Sequence, residues 1–475
     1  MKAGLPFVAV FLAALTAGAY EIGEESGKEA FWKSDPVLFV KNHAEAGFEF
    51  TSDQREGADS RQDGGVTYHG LPVYESKISF GDAGGIERIE LLLYASGGTE
   101  TLKEFEDDNG RKFRRRERVE KRMSRAEFFE TLETVRKKLT KAGAKAPAIE
   151  KAKLIKGSSA HRHSQTWPRT DLPTQATLTW NYEQDGKKEQ TFKPAFIRVE
   201  INGPARLATS GRAAKSRPKK TVTEGARKIL DNVIRDPRGD VLIDNVPMVD
   251  QGQKGYCSVA TAERVLRYYG LEIDEHEIAQ AAGTTAEGGT STLAMKKSVE
   301  SIGKRYRLAT VVCYGDFEKS STERIAGICD EVKAYNKAAK KMKKPVIADE
   351  VFIRREGNTT FYSSAAADAA MDVEVLKEMK VNGVQKPKFA KFQKDIHVQI
   401  DKGIPLIWGV TLGTYPEPGL MQTKGGHMRL IIGYNDKKKE ILYTDSWGAG
   451  HELKRMPVEW AWTISHCLMY MKPLL

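Results

Sequence analysis

A cysteine at the start of a predicted helix is the residue in this sequence best placed to do chemistry. Gln251-Gly-Gln-Lys-Gly-Tyr-Cys257 leads into a segment whose apolar residues recur at helical spacing, so Cys257 is expected in the first turn. Unpaired N–H groups and the helix dipole favour a negative charge there, which lowers a thiol pKa and increases the thiolate fraction. The side-chain amide of Gln251 and the Cys257 N–H are then two donors for a developing oxyanion. Gln253 is the competing amide, and the spacing favours Gln251.

A thiolate nucleophile also needs a proton acceptor and a group that orients this acceptor. Both occur in a predicted hairpin, in which Gly425-Gly426-His427 opens one strand and the return strand leads to Asp445-Ser446-Trp447-Gly448. A register that pairs His427 with Asp445 places Tyr434 opposite Lys438 across a three-residue loop and turns both functional side chains to one face. Asp445 would then fix the imidazole and stabilise its charged form.

Taken together, these segments resemble the papain-like cysteine peptidase superfamily, and in particular its bacteriocin-processing, double-glycine branch. The resemblance covers about residues 241–475 and rests on Gln-Gly-x-x-Gly-x-Cys, Gly-His and Asp-Ser-Trp-Gly in that order. It implies that Cys257 is the nucleophile and that His427 is the general base and then the acid. It also implies that Asp445 orients His427, that Gln251 completes the oxyanion hole and that Trp447 shields the His–Asp contact from water.

The sequence departs from papain at three points. Asp445 stands where papain has asparagine, although aspartate is usual in the double-glycine branch. Tyr256 and Ser258 flank the thiol where papain has serine and tryptophan. The separation between Cys257 and His427 exceeds the roughly 130–150 residues of papain and the cathepsins, which implies an insertion in the Lys-rich region around 317–390.

Three functions remain open from these residues. The favoured one is a cysteine peptidase that hydrolyses a protein or peptide substrate through a thioester acyl-enzyme. The first alternative is transglutaminase-like amide transfer, which differs only in the second acceptor. The second alternative is a catalytically inactive papain-fold binding module.

The other cysteines and histidines do not predict a metal site or a cofactor. The sequence contains neither C-x-x-C nor H-E-x-x-H, which argues against a zinc enzyme. His161 and His163 form an H-x-H pair in a predicted polar loop, where a structural interpretation is favoured over a metal site. Cys313, Cys329 and Cys467 allow at most one disulfide, and a Cys313–Cys329 bridge and three buried thiols are equally compatible with the sequence.

Helices followed by strands must position these residues, so the C-terminal half (221–475) is predicted as a papain-like catalytic domain of the α+β class, with a helical subdomain and an antiparallel sheet. The predicted strands are 404–412, 427–434, 440–446 and 467–472. The predicted helices are 257–269, about 274–281, about 292–302 and a long one within 317–343. The apolar face of the long helix is interpreted as core: Ile325, Ile328, Val332, Tyr335, Ala339 and Met342.

A separate α+β domain is predicted before it, at 20–204, followed by a basic linker at 205–220. Strand patterns occur at Ile86–Tyr94 and in a hairpin with Leu178, Trp180 and Tyr182 on one arm and Ile197, Val199 and Ile201 on the other. Ser124-Arg-Ala-Glu127 is a capping box that opens a helix extending to Gly143. No motif in this half carries chemistry, and its role cannot be predicted.

Composition and the N-terminus set the remaining expectations. Lys2, an apolar run from Phe7 to Leu15 and Ala17-Gly-Ala19 are typical of a signal peptide (1–19) that is cleaved after Ala19, so the protein is expected to be secreted or periplasmic. No later run of apolar residues is long enough for a membrane span.

The chain of 475 residues carries a formal charge of +11. Residues 111–125 are strongly basic, which favours a solvated edge, with an anionic surface or glycan as the alternative partner and no indication of nucleic acid.

Overall fold

The computed structural model describes residues 19–474 except for 63, 82–83, 97–98, 107–111, 120–122, 141–145, 154–160, 170–171, 185–191, 214–228, 252–255, 272–277, 280–292, 294–295, 298, 301–302, 304–306, 316, 318–319, 358 and 418–424. The described residues form two compact units, one within 1–217 and the other within 218–475. Each unit buries its own cluster of apolar side chains. The described fold is α+β, and its large sheets are antiparallel.

An eight-stranded antiparallel sheet is the framework of the first unit. The strands of this unit are β1 (Tyr20–Glu21), β2 (Glu49–Phe50), β3 (Gly57–Ser60), β4 (Val66–Tyr68), β5 (Leu71–Pro72), β6 (Glu75–Phe80), β7 (Ile86–Ala95), β8 (Thr99–Glu106), β9 (Lys112–Val119), β10 (Glu150–Lys153), β11 (His161–Pro168), β12 (Gln175–Glu183) and β13 (Lys193–Asn202). The sheet order is β10-β11-β12-β13-β7-β6-β3-β2. Two smaller sheets accompany it, β1-β4-β5 and the β8-β9 ribbon.

The helices of the first unit cover one part of its core. They are α1 (Ile22–Glu25), α2 (Glu29–Trp32), α3 (Pro36–Asn42), α4 (Arg125–Thr140) and α5 (Pro204–Ala213), with a 3₁₀ turn at Ala44–Ala46. The predicted capping box opens α4, because the N–H of Glu127 donates to Ser124 Oγ at 3.2 Å and the N–H of Ser124 donates to Glu127 Oε2 at 2.8 Å. Phe128, Leu132 and Val135 turn inward from this helix.

The strands predicted in the first unit from alternating apolar residues are present as β7, β12 and β13. Leu178 and Trp180 on β12 and Ile197, Val199 and Ile201 on β13 are all buried. The prediction of a loop at residues 161–163 was wrong. His161 and His163 lie in a strand rather than in a loop, and the His163 ring stacks on Trp180 and Tyr182.

The predicted linker is also partly wrong. Its first part, residues 205–213, is helical and forms nearly all of α5. Alanine and leucine in this stretch favour a helix despite its basic composition. The remainder of the linker lies outside the described residues, as do most of the predicted signal peptide, residues 185–191 between the two arms of the predicted hairpin, and most of the predicted helices at 274–281 and 292–302.

A second antiparallel sheet organises the C-terminal unit. Its strands are β14 (Val233–Arg235), β15 (Asp240–Ile243), β16 (Leu308–Tyr314), β19 (Leu406–Leu412), β20 (Gly425–Asn435), β21 (Glu440–Thr444), β22 (Lys454–Pro457) and β23 (Ser465–Pro473), and a separate hairpin joins β17 (Ile353–Glu356) to β18 (Thr359–Tyr362). The order is β14-β15-β20-β19-β23-β16, and β21 pairs with both β20 and β22. The predicted strands are all present, with ends shifted by a few residues.

The described helices of the C-terminal unit are α6 (Cys257–Tyr268), α7 (Ser321–Lys341), α8 (Asp349–Phe352), α9 (Ser364–Ala370), α10 (Val373–Val381), α11 (Lys386–Ile400) and α12 (Val458–Ile464). On α7, Val332, Tyr335 and Ala339 are buried, as the predicted stripe requires. These three pack with residues of α8–α10 in a hydrophobic cluster of their own, separate from the one beneath the sheet. This cluster lies in the region interpreted as an insertion.

All four cysteines are free thiols, so the Cys313–Cys329 bridge does not form. In the part of the chain that the structure describes, no helix has both the length and the apolar character needed to cross a membrane.

Candidate active site

Cys257 is the first residue of α6, as its position before the amphipathic segment predicts. Tyr256 occupies the N-cap position and makes no capping hydrogen bond with its side chain. The backbone N–H of Met428 on β20 donates to the thiol. One turn into the helix, the Thr261 hydroxyl donates to the Met428 carbonyl at 3.2 Å. The start of α6 is therefore held against the strand that carries His427.

His427 and Asp445 lie in direct contact beneath this helix. The two atoms His427 Nε2 and Asp445 Oδ1 are 2.6 Å apart, and the exposed fractions of the two side chains are 5% and 0%. Since Nε2 donates to the carboxylate, Nδ1 is the ring nitrogen left for the thiol, with which the imidazole forms a hydrogen bond. The ring of Trp447 stacks on the imidazole with centroids 4.6 Å apart and planes 21° apart. The four side chains predicted to act together are thus in one place.

The hairpin reaches this contact through a register that differs from the predicted one. Leu430 pairs with Thr444, so Arg429 rather than His427 lies opposite Asp445, and an irregularity between Ile431 and Gly433 shifts the pairing toward the turn. The contact survives because side chains two residues apart on a strand share a face, so His427 meets Asp445 diagonally. The connection is also one residue longer than predicted, because Asn435 pairs with Glu440.

The three groups change one another's protonation. Burial would raise the pKa of Cys257, but the hydrogen bond and positive charge of His427 outweigh it and hold the thiol pKa below its ordinary value. Burial would lower the pKa of His427, yet the charge and hydrogen bond of Asp445, with a contribution from Cys257, raise it to about 9. The pKa of Asp445 is lowered despite burial, because His427 and Arg429 stabilise the carboxylate. Both shifts act in the direction of a thiolate–imidazolium pair.

Gln251 lies beside the segment that carries Asp445. Its backbone N–H donates to the Ser446 carbonyl at 2.9 Å, and its Oε1 accepts from the Ser446 hydroxyl at 2.7 Å. These contacts engage the carbonyl end of the side chain and leave the Nε2 amide as the donor end. The competing amide, Gln253, and the glycines at 252 and 255 lie outside the described residues.

Sequence reasoning missed a buried arginine on the nucleophile helix. Arg264 is 2% exposed and donates from Nε to the Pro247 carbonyl, from Nη1 to the Asp445 carbonyl and from Nη2 to Thr444 Oγ1, each at 2.7 Å. It therefore ties α6 to β21 and to the segment that leads to Gln251. The sequence feature that could have indicated this residue is an arginine among the apolar residues of α6. It lies seven positions after Cys257 and hence on the same face of the helix.

A second buried arginine was missed on the strand that carries His427. Arg429 donates from Nε to Asp445 Oδ2 at 2.7 Å, so the two carboxylate oxygens are shared between His427 and Arg429. The sequence feature that could have indicated Arg429 is its position two residues after His427, which places it on the same face of β20.

A half-buried thiolate beside an imidazolium is a nucleophile with a proton donor next to it, which suits attack on a carbonyl and protonation of the leaving group. Among the described residues, no group of three or more His, Cys, Asp or Glu side chains is arranged to hold a metal ion. The hydrogen-bonded thiol and imidazole are the groups that covalent catalysis by a cysteine requires.

Comparison with known proteins finds similarity in this half of the chain. The model of the Peptidase_C39-like family matches residues 243–351 and 333–469. Seven chains of solved structures match, among them xylellain, a cysteine protease from Xylella fastidiosa, with 15% identity over 52% of this chain and 90% of that one and a TM-score of 0.23. No curated protein matches significantly. The similarity to a known family therefore lies in the C-terminal part of the chain, where residues 243–469 resemble the Peptidase_C39-like family.

Proposed function

We propose that this protein is an exported cysteine peptidase that hydrolyses peptide bonds with Cys257, His427 and Asp445. The observation that carries the proposal is the contact among a thiol, an imidazole and a buried carboxylate, in which the thiol pKa is lowered and the imidazole pKa is raised to about 9. The proposal assigns the catalytic domain to residues 221–475 and assigns no function to the domain at 20–204. Export follows from the signal-like residues 1–19.

In the proposed reaction, the Cys257 thiolate attacks the carbonyl carbon of the scissile peptide bond. The Cys257 N–H and the Gln251 amide donate to the oxyanion of the tetrahedral intermediate. His427 transfers its proton to the leaving amine, the C–N bond breaks and a thioester remains on Cys257. His427 then takes a proton from water, which attacks the thioester and releases the acid product and the thiolate.

The residues in contact with His427 support these roles. Asp445 is placed to keep the imidazole oriented through both proton transfers, since its Oδ1 also accepts from the Ser446 N–H at 2.8 Å and cannot turn freely. Trp447 covers one face of the imidazole and is placed to keep water from the His427–Asp445 hydrogen bond.

Labelling of the full chain with iodoacetamide near pH 6 tests the proposal, with mass spectrometry to locate the label. Cys257 is expected to react selectively, because burial raises the pKa of both Cys313 and Cys467 to about 12. His427→Ala should abolish this selectivity. His397→Ala is the matched control, since His397 pairs with Asp436 on a more exposed part of the same unit and should leave the labelling unchanged.

A peptide library, incubated with and without an added primary amine, then identifies the second acceptor. Cleaved peptides with a free carboxyl end in both samples support hydrolysis. If the only products are peptides joined to the added amine, the reaction is transfer. Slow labelling of all four cysteines to the same extent would contradict an activated thiolate and would favour an inactive binding module.

A further inference from the structure

Two buried charges continue the network behind the proposed catalytic pair. Arg429 lies on β20 with no exposed surface, and its Nε donates to Asp445 Oδ2 at 2.7 Å. From its other side, Nη1 donates to Glu417 Oε1 at 2.8 Å. Glu417 is only 8% exposed, and its second oxygen accepts from the Tyr443 hydroxyl. The chain of contacts from Cys257 to Glu417 therefore alternates in charge.

Such a chain is costly to bury, which makes a purely structural role a poor explanation. Removing an arginine and a carboxylate from water costs several kcal/mol for each ion, and well-packed apolar residues often stabilise a core as well or better. The guanidinium of Arg429 also lies over the rings of Tyr443 and Trp447, with its carbon 4.9 Å and 5.6 Å from the ring centroids. Trp447 is the ring that stacks on His427, so this arginine contacts two members of the proposed site.

We propose that Arg429 and Glu417 are positioning residues of the candidate active site: Arg429 holds the Asp445 carboxylate toward His427 and offsets its charge, and Glu417 offsets the charge of Arg429. The inference rests on the proposed function, because it names the residues that set the charge at that same site. Both residues act on the thiol at a distance, through the position and charge of Asp445 and through their own buried charges.

The other charged groups around Asp445 bear on the expected pH dependence. Its titratable and charged neighbours are Arg264 on α6, His427 and Arg429 on β20, Tyr443 on β21 and His451 in the loop that follows. Glu452 acts on both Arg264 and His451. Arg264 contacts the Asp445 backbone carbonyl, so Arg429 is the arginine that reaches the carboxylate itself.

The signs of the two charges predict opposite effects on the thiol. A positive charge nearby favours the thiolate, so Arg429→Gln should raise the pH at which Cys257 becomes reactive. A negative charge nearby disfavours the thiolate, so Glu417→Gln should lower that pH. Water screens both charges little, because both side chains are buried. Loss of structure alone would lower reactivity in both variants without moving the midpoints in opposite directions.

The experiment measures the rate of Cys257 alkylation by iodoacetamide from pH 4 to pH 9 in the full chain. Arg429→Gln should move the acidic midpoint up by about 0.5 to 1 pH unit, and Glu417→Gln should move it down by a similar amount. The double variant and Arg429→Lys should both lie near the unmodified protein. Arg235→Gln is the matched control, since Arg235 pairs with Asp401 at 2.7 Å on the surface and should leave the midpoint unchanged.

The outcomes separate this inference from the proposed function. A Cys257 thiol that is unreactive below pH 8 in the unmodified protein overturns the proposed function, and the inference with it. A reactive thiol whose midpoint is unmoved, or moves in the same direction in both variants, overturns only the inference. If circular dichroism shows that Arg429→Gln does not fold, Glu417→Gln and Arg429→Lys decide the matter, because both retain a positive charge beside Asp445.

Discussion

Replacing Asp445 by asparagine should remove most of the thiolate at neutral pH. The change keeps the size of the side chain but removes the negative charge whose oxygen lies 2.6 Å from His427 Nε2. Asp445 is the main reason that the pKa of His427 is about 9, since burial acts in the opposite direction. A pKa of about 9 instead of the ordinary 6.5 corresponds to about 3 kcal/mol in favour of the imidazolium. Without that charge the imidazole is neutral at pH 7, and the thiol loses its positive neighbour.

The assay is the rate of Cys257 alkylation at pH 7, followed by mass spectrometry. A loss of about 3 kcal/mol corresponds to a decrease of about 100-fold in the equilibrium constant between the thiolate–imidazolium and thiol–imidazole forms, and the rate should fall with the remaining thiolate population. The matched control is Asp401→Asn, which makes the same change in a carboxylate that pairs with Arg235 on the surface. This control should react like the unmodified protein.

A rate for Asp445→Asn within about threefold of the unmodified protein would refute the reasoning, provided that its circular dichroism spectrum is native. Such a result would mean that the imidazolium does not depend on Asp445. The alkaline side gives a second check, because the raised pKa of His427 keeps the imidazolium present until the pH passes about 9. In Asp445→Asn, the imidazolium should instead be lost as the pH rises, at a pH below 7.

The remaining predictions concern stability, and each can be read from urea unfolding. Lys380→Met removes a buried ammonium that donates to the Thr463 carbonyl at 2.8 Å at the end of α12, and it should cost about 1–3 kcal/mol. Gly409→Ala should cost a similar amount, about 1–3 kcal/mol, because the new methyl group would overlap Cys467 Sγ, and Cys467→Ala should recover part of the loss. Ser320→Ala should cost about 1 kcal/mol, because it removes the capping box of α7, whereas the control Ser321→Ala should be nearly neutral.

Local pattern was sufficient to predict the elements that carry the candidate site. The apolar spacing after Cys257 predicts a helix that starts at that residue, and α6 does so. The alternation after His427 and before Asp445 predicts the two strands, and a shared face is a property of strand periodicity rather than of exact pairing. The contact between His427 and Asp445 could therefore be predicted although the register was wrong.

Interactions between distant segments were beyond prediction from one sequence. The irregularity after Ile431 depends on the three-dimensional path of β20, and no residue pattern in the turn indicates it. The roles of Arg264 and Arg429 depend on partners far along the chain, so an arginine in an apolar pattern indicates burial without indicating what it binds. The separate cluster of α7–α10 could be located as an insertion, but its packing depends on helices that meet only after folding.

The residue before the nucleophile shows a compromise between helix stability and reactivity. Serine, threonine, aspartate and asparagine are the usual N-cap residues, and a cap of this kind contributes about 1 kcal/mol to the stability of a helix. Tyr256 instead packs into the core beneath the sheet and leaves the first-turn amides without a side-chain acceptor from this position. A carboxylate there would compete with the thiolate for those amides and repel its charge. Selection for a stronger helix at this position would thus oppose selection for a more reactive sulfur.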